Sequence, residues 1–105
     1  MTSDGTLKEN IVDAPSQWAT MKDYRFRNYN WIGKPDEKIG LIAQEATSIR
    51  KDIPITKAAQ EGDTPVTETV ICIDTNKLMM QMGKALQEAL LRIETLEATV
   101  ATLGG

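Results

Sequence analysis

Two short stretches near the start of the chain hold the side chains that could do chemistry. They are residues 3–11, SDGTLKENI, and residues 40–46, GLIAQEA. The chain has no histidine, which excludes Ser/His/Asp and Cys/His arrangements and most zinc sites. The groups that remain for chemistry are a serine or threonine nucleophile, a lysine base and carboxylates.

The order and spacing of these stretches resemble the self-cleaving C-terminal intramolecular chaperone domain of phage tail spikes, tail fibres and endosialidases, which also occurs in the myelin regulatory factor. In that family the pattern Ser-Asp-x-x-x-Lys-x-x-Ile marks the point where the chain cuts itself, immediately before the serine. The resemblance implies that Ser3 and Lys8 form the catalytic dyad and that the cut falls between Thr2 and Ser3. It extends over an aromatic segment between the stretches and a final helix.

The implied reaction makes specific demands on the residues around the cut. Ser3 would attack the carbonyl of Thr2 and move the acyl group from nitrogen to its own oxygen, which gives an ester that water hydrolyses more easily than an amide. An ordinary lysine amine is protonated at neutral pH, so Lys8 needs an apolar cover or nearby cations to act as a base. We expect Ile11 and the aromatic segment to supply that cover.

Four further side chains are candidates for accessory roles at this site. A turn at Asp4 would bring Lys8 back toward Ser3, and its carboxylate could orient the reacting groups. Side-chain amides from either stretch could donate hydrogen bonds to the developing oxyanion. The accessory candidates are Asp4, Asn10, Gln44 and Glu45.

The composition is that of one small acidic globular domain. The chain has 105 residues, an apolar content of 41%, a net charge of -3 and a pI of about 4.9. Its scattered basic residues argue against a nucleic-acid surface. No apolar run is long enough to span a bilayer, and we expect no membrane partner, no metal and no cofactor. The single Cys72 permits no internal disulfide, and its apolar flanks predict a buried strand position.

Patterns along residues 1–76 predict a small head of mixed α and β structure. The predicted elements are a short helix starting near Pro15, a strand over residues 24–31 with Phe26 inward and Arg25 and Arg27 outward, a turn over 33–36, a strand over 38–43, a helical turn or two over 44–50, an extended segment at 53–55, an exposed loop or hairpin over 57–68 and a strand over 70–73. The polar loop is either a solvated connection or, as the resemblance implies, an arm that grips the preceding fibre.

Residues 77–105 predict a long C-terminal helix with an unbroken apolar seam, capped by a residue within 74–76 and ended by Gly104. The seam is roughly 37 Å long at ~1.5 Å per residue, which is too long to fold back over so small a head, so it predicts partner helices. Arg92 and Glu97 are placed for an interchain ion pair. Heptad positions a and d of the seam hold Met79, Met82, Leu86, Ala89, Ile93, Leu96, Val100 and Leu103.

The number of helices in this coiled coil is open from the heptads alone. Isoleucine and valine at a with leucine at d favour a dimer, whereas Leu78 and Leu90 widen the apolar stripe as a larger bundle requires. The resemblance implies three chains. The predicted fold is therefore α+β, with a globular head over residues 1–76 and a parallel trimeric coiled coil over residues 77–105.

Three functional hypotheses follow from these observations. The first is a homotrimeric intramolecular chaperone that registers an upstream fibre or spike segment of the same polypeptide in the host bacterial cytoplasm, cuts itself off and is absent from the mature fibre. The second is a non-catalytic trimerisation or attachment module, and the third is a coiled-coil adaptor whose short stretches match by chance. The resemblance implies a long fibre ahead of this domain, whereas only Met1 and Thr2 precede Ser3, so we expect this chain to be an isolated C-terminal piece with an added start methionine.

Overall fold

The head and the C-terminal helix form an elongated molecule of about 81 × 44 × 19 Å. The computed structural model describes residues 3–57, 62 and 64–104. The α+β class and the long final helix are confirmed, whereas the trimeric coiled coil stays a prediction. In chain order the elements are a 3₁₀ turn Gly5–Leu7, helix α1 Trp18–Asp23, strands β1 Arg27–Tyr29 and β2 Lys38–Gly40, 3₁₀ turns Ala43–Glu45 and Thr47–Ile49, strands β3 Arg50–Lys57 and β4 Val66–Ile73, and helix α2 Thr75–Gly104.

Strands β1 and β2 form a small antiparallel sheet that is shorter than the aromatic pattern predicted. The pairing runs from Arg27 opposite Gly40 to Tyr29 opposite Lys38, so the partner strand limits β1 to three residues. A tight turn follows, in which Gly33 has a φ of 82° that favours glycine. A side chain at Gly40 would place its Cβ 3.2 Å from the Tyr29 ring, so glycine there permits close packing.

The side-chain orientation predicted for the aromatic segment is wrong at two positions, Phe26 and Arg27, and right at Arg25, which is exposed. Phe26 is 52% exposed, whereas Arg27, expected to point outward, is half-buried. Arg27 turns inward because its guanidinium bonds to the Glu45 carboxylate. Tyr29 and Trp31 lie on the same side, as predicted, and their rings meet edge to face with centroids 5.7 Å apart.

Strands β3 and β4 form an antiparallel hairpin with eight paired residues on each side. The polar segment is thus a hairpin, and its strands run further toward the tip than the sequence predicted. Near the tip a hydrogen bond joins Thr56 to Thr67 and an ion pair joins Lys57 to Glu68. Cys72 lies on β4 as predicted, but it is half-buried rather than buried. Most of the tip, residues 58–61 and 63, falls outside the described residues.

The core lies where the two 3₁₀ turns after β2 meet helix α2. Ile49 is 1% exposed, and its carbonyl accepts a hydrogen bond of 2.7 Å from the Asp74 amide at the end of β4. The predicted helical turns over residues 44–50 are confirmed as these 3₁₀ turns. Among the described residues, the buried apolar side chains are Ala43, Ala46, Ile49 and Ala85.

Helix α2 begins with an aspartate cap, within the range that the sequence predicted. The Asp74 carboxylate accepts a 3.0 Å hydrogen bond from the Lys77 amide and lies 3.3 Å from the Lys51 amine. The amide hydrogen bond, followed by the interaction with Lys51, lowers the pKa of Asp74. Because the cap is also bonded to Ile49, it fixes the start of α2 against the head. The helix extends to Gly104, and residue 105 lies outside the described residues.

Helix α1 begins at Trp18 rather than near Pro15, and its N-cap residue, Gln17, is bonded to a distant residue. Glu88 on α2 accepts a 2.7 Å hydrogen bond from the Gln17 amide and another from the Ser16 hydroxyl. These two bonds, the Ser16 hydroxyl first, lower the pKa of Glu88. They anchor the start of α1 on α2, and Pro15 therefore lies in the segment that leads up to the helix.

Arg92 also joins α1 to α2. Its guanidinium lies 3.7 Å from the centroid of the Trp18 ring, as in a cation–π contact. The interchain pair between Arg92 and Glu97 stays a prediction, and the structure adds a contact of the arginine with Trp18 of its own chain. Arg92 occupies heptad position g, and at this turn of α2 that position faces the head.

Replacing Glu88 by glutamine should weaken the α1–α2 contact in a pH-dependent way. The folded-state pKa of Glu88 is lowered from its ordinary value of 4.5, so its contribution to stability is present above that pH and is lost as pH falls through the folded-state pKa. We expect wild type to be more stable than Glu88→Gln in urea at pH 7, and the difference to disappear in acid. Glu94→Gln, at a side chain without a hydrogen bond or ion pair in the described structure, should match wild type at every pH. A stability difference between wild type and Glu88→Gln that stays the same at every pH would show that ionised Glu88 does not stabilise the α1–α2 contact.

Candidate functional site

The first stretch is ordered around an Asp4 turn, as predicted. The Asp4 carboxylate accepts hydrogen bonds of 2.9 Å from the Thr6 amide and 2.7 Å from the Thr6 hydroxyl, and these bonds lower the pKa of Asp4. The Lys8 amide closes the 3₁₀ turn by donating to the Gly5 carbonyl at 3.1 Å. The part played by Thr6 was missed, although aspartate two residues before threonine is a local signal for such a turn.

The predicted catalytic side chains lie on the surface of the protomer. Ser3 and Lys8 are both exposed, and no hydrogen bond joins them in the part of the chain that the structure describes. Thr2 lies outside the described residues, and with it the peptide bond predicted to be cut. The dyad therefore stays a prediction that rests on the motif.

Among the described residues, Ile11 and its neighbours do not form the apolar cover expected for Lys8. Ile11 is 70% exposed and Val12 is 85% exposed, and Leu7 is exposed as well. Asn10, a candidate oxyanion donor, is exposed with a φ of 54°, a left-handed conformation that asparagine tolerates. Residues 3–16 are all exposed, so a cover for Lys8 has to come from outside this part of the protomer.

The second stretch is fixed to β1 by a two-pronged ion pair. The two Glu45 oxygens accept hydrogen bonds from the Arg27 Nε at 2.9 Å and Nη2 at 2.7 Å. Hydrogen bonding to Arg27 lowers the pKa of Glu45, so the carboxylate is ionised at neutral pH. This contact engages both oxygens of Glu45 and holds the Ala43–Glu45 turn in place. Neighbouring Gln44 is exposed, and its accessory role stays a prediction.

A groove lies beside this turn, between β1–β2 and the base of the hairpin. Its volume is about 360 Å³. Tyr29 and Trp31 form an aromatic wall, Ile42 and Ile73 line the apolar interior, and Gln44 adds an amide at the edge. The sequence did not reveal this groove, because its lining comes from three separate parts of the chain. We call it the aromatic groove.

The apolar seam of α2 is uncovered in the protomer. Leu86 is 61% exposed, whereas the preceding Ala85 is buried against the head. Successive residues lie about 100° apart around a helix, so the head and the seam use different faces of α2. Leu78 is half-buried in its own protomer, which leaves Leu90 to widen the free stripe. Seven seam side chains are exposed: Met79, Met82, Leu86, Ile93, Leu96, Val100 and Leu103.

Metal-binding and membrane-spanning features are absent from the described residues. No group of three or more His, Cys, Asp or Glu side chains in this part of the chain is placed to hold a metal ion. Among the helices described, none combines the length and apolar character needed to cross a bilayer.

The fold and the two stretches define a small α+β head carried on a long helix with a free apolar seam. The family model Peptidase_S74, described as the chaperone of endosialidase, matches residues 3–55, just over half of the chain. The chain belongs to this family, as the two stretches predicted. The family carries a peptidase name and a chaperone description. No curated protein and no solved structure matches the chain significantly.

Replacing Arg27 by lysine should loosen the turn that carries Gln44. An ammonium group cannot reproduce the two parallel bonds of a guanidinium, so the Ala43–Glu45 turn should open more often. We expect the Ala46 amide, which donates to the Ala43 carbonyl at 3.1 Å, to exchange hydrogen roughly severalfold faster. Arg25→Lys, at an arginine without such a pair, should leave this rate unchanged. If the Ala46 amide exchanges at the same rate in Arg27→Lys as in Arg25→Lys, the ion pair does not hold the turn.

Proposed function

We propose that this chain is a homotrimeric intramolecular chaperone that registers an upstream phage tail fibre or spike and then releases itself by cutting before Ser3. The observation that carries the proposal is the match to the chaperone of endosialidase, which begins at Ser3 itself. The proposed partner is the upstream segment of the same polypeptide. The proposed setting is the host bacterial cytoplasm during virion assembly, and the released domain is absent from the mature fibre.

Assembly through α2 is supported by the exposed seam. Full burial of a leucine or isoleucine side chain stabilises by roughly 1.5 to 3 kcal/mol, and the seam presents such side chains over most of α2. The head occupies the Ala85 face, so parallel partners can approach along the seam without displacing it. Trimers of α2 would place three heads, and three upstream chain ends, around one axis. Holding the ends together reduces the loop-closure entropy that slows registration of an interwound fibre.

The Leu96→Asp substitution tests this assembly. Leu96 is an exposed d residue of the seam, and in a trimer three aspartates would be brought together away from water. We expect wild type to be a trimer at micromolar concentration by light scattering and Leu96→Asp to be a monomer. Ala98→Asp, at position f outside the seam, should remain a trimer.

A wild-type monomer would refute the chaperone proposal. A wild-type dimer would show that isoleucine and valine at a with leucine at d decide the number of helices. Normal trimers in Leu96→Asp would show that the seam is assigned in the wrong register.

The proposed cut is an intramolecular acyl transfer followed by ester hydrolysis. Neutral Lys8 takes the proton of the Ser3 hydroxyl, and the oxygen attacks the Thr2 carbonyl carbon. The carbon–nitrogen bond breaks, the Ser3 nitrogen accepts a proton, and Thr2 becomes an ester on the Ser3 oxygen. Water then hydrolyses the ester to a Thr2 carboxylate and restores the Ser3 hydroxyl. Gln44 or Asn10 would stabilise the oxyanion by donating a hydrogen bond.

Two substitutions in a longer chain with its natural upstream segment test the dyad. Ser3→Ala removes the attacking hydroxyl, and because Ser3 is exposed the folded trimer should survive. Lys8→Arg keeps the charge but cannot act as a base. We expect both variants to accumulate as uncut trimers on a gel, whereas Lys34→Arg should be cut like wild type. Normal cutting by Lys8→Arg would make Lys8 a structural cation and point to Asp4 as the base.

A non-catalytic trimerisation or attachment module is the second candidate. The observation that favours it is that Ser3 and Lys8 are both exposed and form no hydrogen bond with each other among the described residues. Failure of the longer wild-type chain to cut itself, together with normal trimers and an assembled fibre, would select this second candidate.

A further inference from the structure

We propose that the aromatic groove of one protomer binds the N-terminal segment 7–13 of a neighbouring protomer. The inference rests on the proposed homotrimer, but not on the cut. It deepens the proposed function, because it identifies where the segment that carries Lys8 is held during assembly. The structure supports it through two surfaces of the same chain that are both uncovered in the protomer.

The first surface is the segment itself. Leu7, Ile11 and Val12 place three apolar side chains within six residues, and all three are exposed. The segment has left its 3₁₀ turn by Lys8 and is anchored again only from Ser16, whose hydroxyl bonds to Glu88. An apolar segment of this kind, held at one end and uncovered along its length, is suited to docking on another surface.

The second surface is the groove. Trp31 and Ile32 stand at its edge, and Ile32 is fully exposed at 103%. Its volume of about 360 Å³ lies within the range of ~300–1,000 Å³ that holds small ligands, so a few aliphatic side chains fit. The edge-to-face contact between Tyr29 and Trp31 fixes the aromatic wall in advance, which lowers the entropy cost of binding.

Charge complementarity selects this occupant. Glu9 and Asp13 flank the apolar pair at residues 11 and 12, and neither has a cationic partner in the described structure. The Lys34 amide donates to the Trp31 carbonyl, and Lys38 pairs with Tyr29 across the sheet. Asp36 and Glu37 lie between these lysines in sequence, and Glu37 accepts a hydrogen bond from Asn28 rather than from a lysine. Neither lysine has a carboxylate partner among the described residues. Acidic positions beside the apolar side chains thus match basic positions beside the groove.

The structure of a single chain supports docking between protomers rather than within one. In the same protomer the segment is exposed and the groove is open, so the segment does not cover its own groove. Assembly along the seam would bring three heads side by side. The segment of one head would then lie against the next head. There the Trp31 ring would cover Lys8, and the Gln44 side chain would offer it an amide.

Photo-crosslinking of the uncut Ser3→Ala chain tests the docking. Ile11 is replaced by p-benzoylphenylalanine, equal amounts of unlabelled and nitrogen-15-labelled chain are unfolded and refolded together, and the irradiated sample is digested with trypsin. We expect residue 11 to be joined to peptides 28–38, 39–50 or 58–77, which contain the groove residues, and about half of these products to carry mixed labels, as random mixing predicts. The same photoreactive residue at Thr99, on the far part of α2, should not reach these peptides.

Two matched groove variants sharpen the test. Ile32→Glu adds an acid at the groove edge and should lower the yield of mixed-label product by about tenfold, equivalent to losing one buried apolar side chain. Ile39→Glu adds the same acid at an exposed isoleucine that does not line the groove and should leave the yield unchanged.

The outcomes separate this inference from the proposed function. Sedimentation of the same samples reports the assembly state independently. A trimer whose crosslinks all carry a single label would place the segment in its own groove and overturn the inference alone, as would a trimer without crosslinks to any of these three peptides. A monomer would overturn the proposed assembly as well. Retention of the mixed-label product in Ile32→Glu would show that the segment binds elsewhere.

Discussion

The contact between the head and one face of α2 determines what the rest of the molecule can do. Ala85 is buried against the head, and Glu88 and Arg92 on the same side of the helix hold the start of α1. Because Leu86 follows Ala85 by one residue, or about 100° of rotation, the head cannot cover the seam without giving up these contacts. The apolar seam is thus left free by the same packing that fixes the head.

Beyond Arg92, helix α2 extends away from the head. The threonine hydroxyls on its polar side form hydrogen bonds within the helix and need no partner from another element. The hydroxyls of Thr95, Thr99 and Thr102 each donate a 3.0 Å hydrogen bond to the carbonyl four residues earlier. These bonds satisfy the hydroxyls within the helix, whereas Ile93, Leu96 and Val100 have no comparable cover in the protomer. The uncovered apolar surface on this half of α2 is therefore the part that association would remove from water.

Elements governed by local periodicity were predictable from the sequence, and those governed by long-range contacts were not. The heptad pattern predicted α2, and the short apolar run over residues 70–73 predicted the end of the hairpin. The anchoring of the start of α1 was hidden, because it is made by Glu88, 70 positions further along the chain than Trp18. The inward turn of Arg27 was hidden for the same reason, since its partner Glu45 belongs to another element.

The candidate site divides in the same way. The Asp4 turn was visible in the sequence because its partner, Thr6, is two residues away, whereas the aromatic groove joins residues as distant as Tyr29 and Ile73. An apolar cover for Lys8 could not be judged from composition, since Ile11 is near it in sequence but exposed in the protomer. Motifs specify which groups are present, but the desolvation of a base depends on what packs around it.

The small core explains why assembly and release are compatible in the proposed function. A head whose buried apolar residues, within the described chain, are Ala43, Ala46 and Ile49 has little stability to spare alone and gains from association. The anchoring of the head on α2 through Ser16 and Gln17 lies well downstream of Ser3. A cut before Ser3 would therefore separate the fibre while leaving those contacts in place. The released fibre would then persist through its slow unfolding rather than through continued binding to the chaperone.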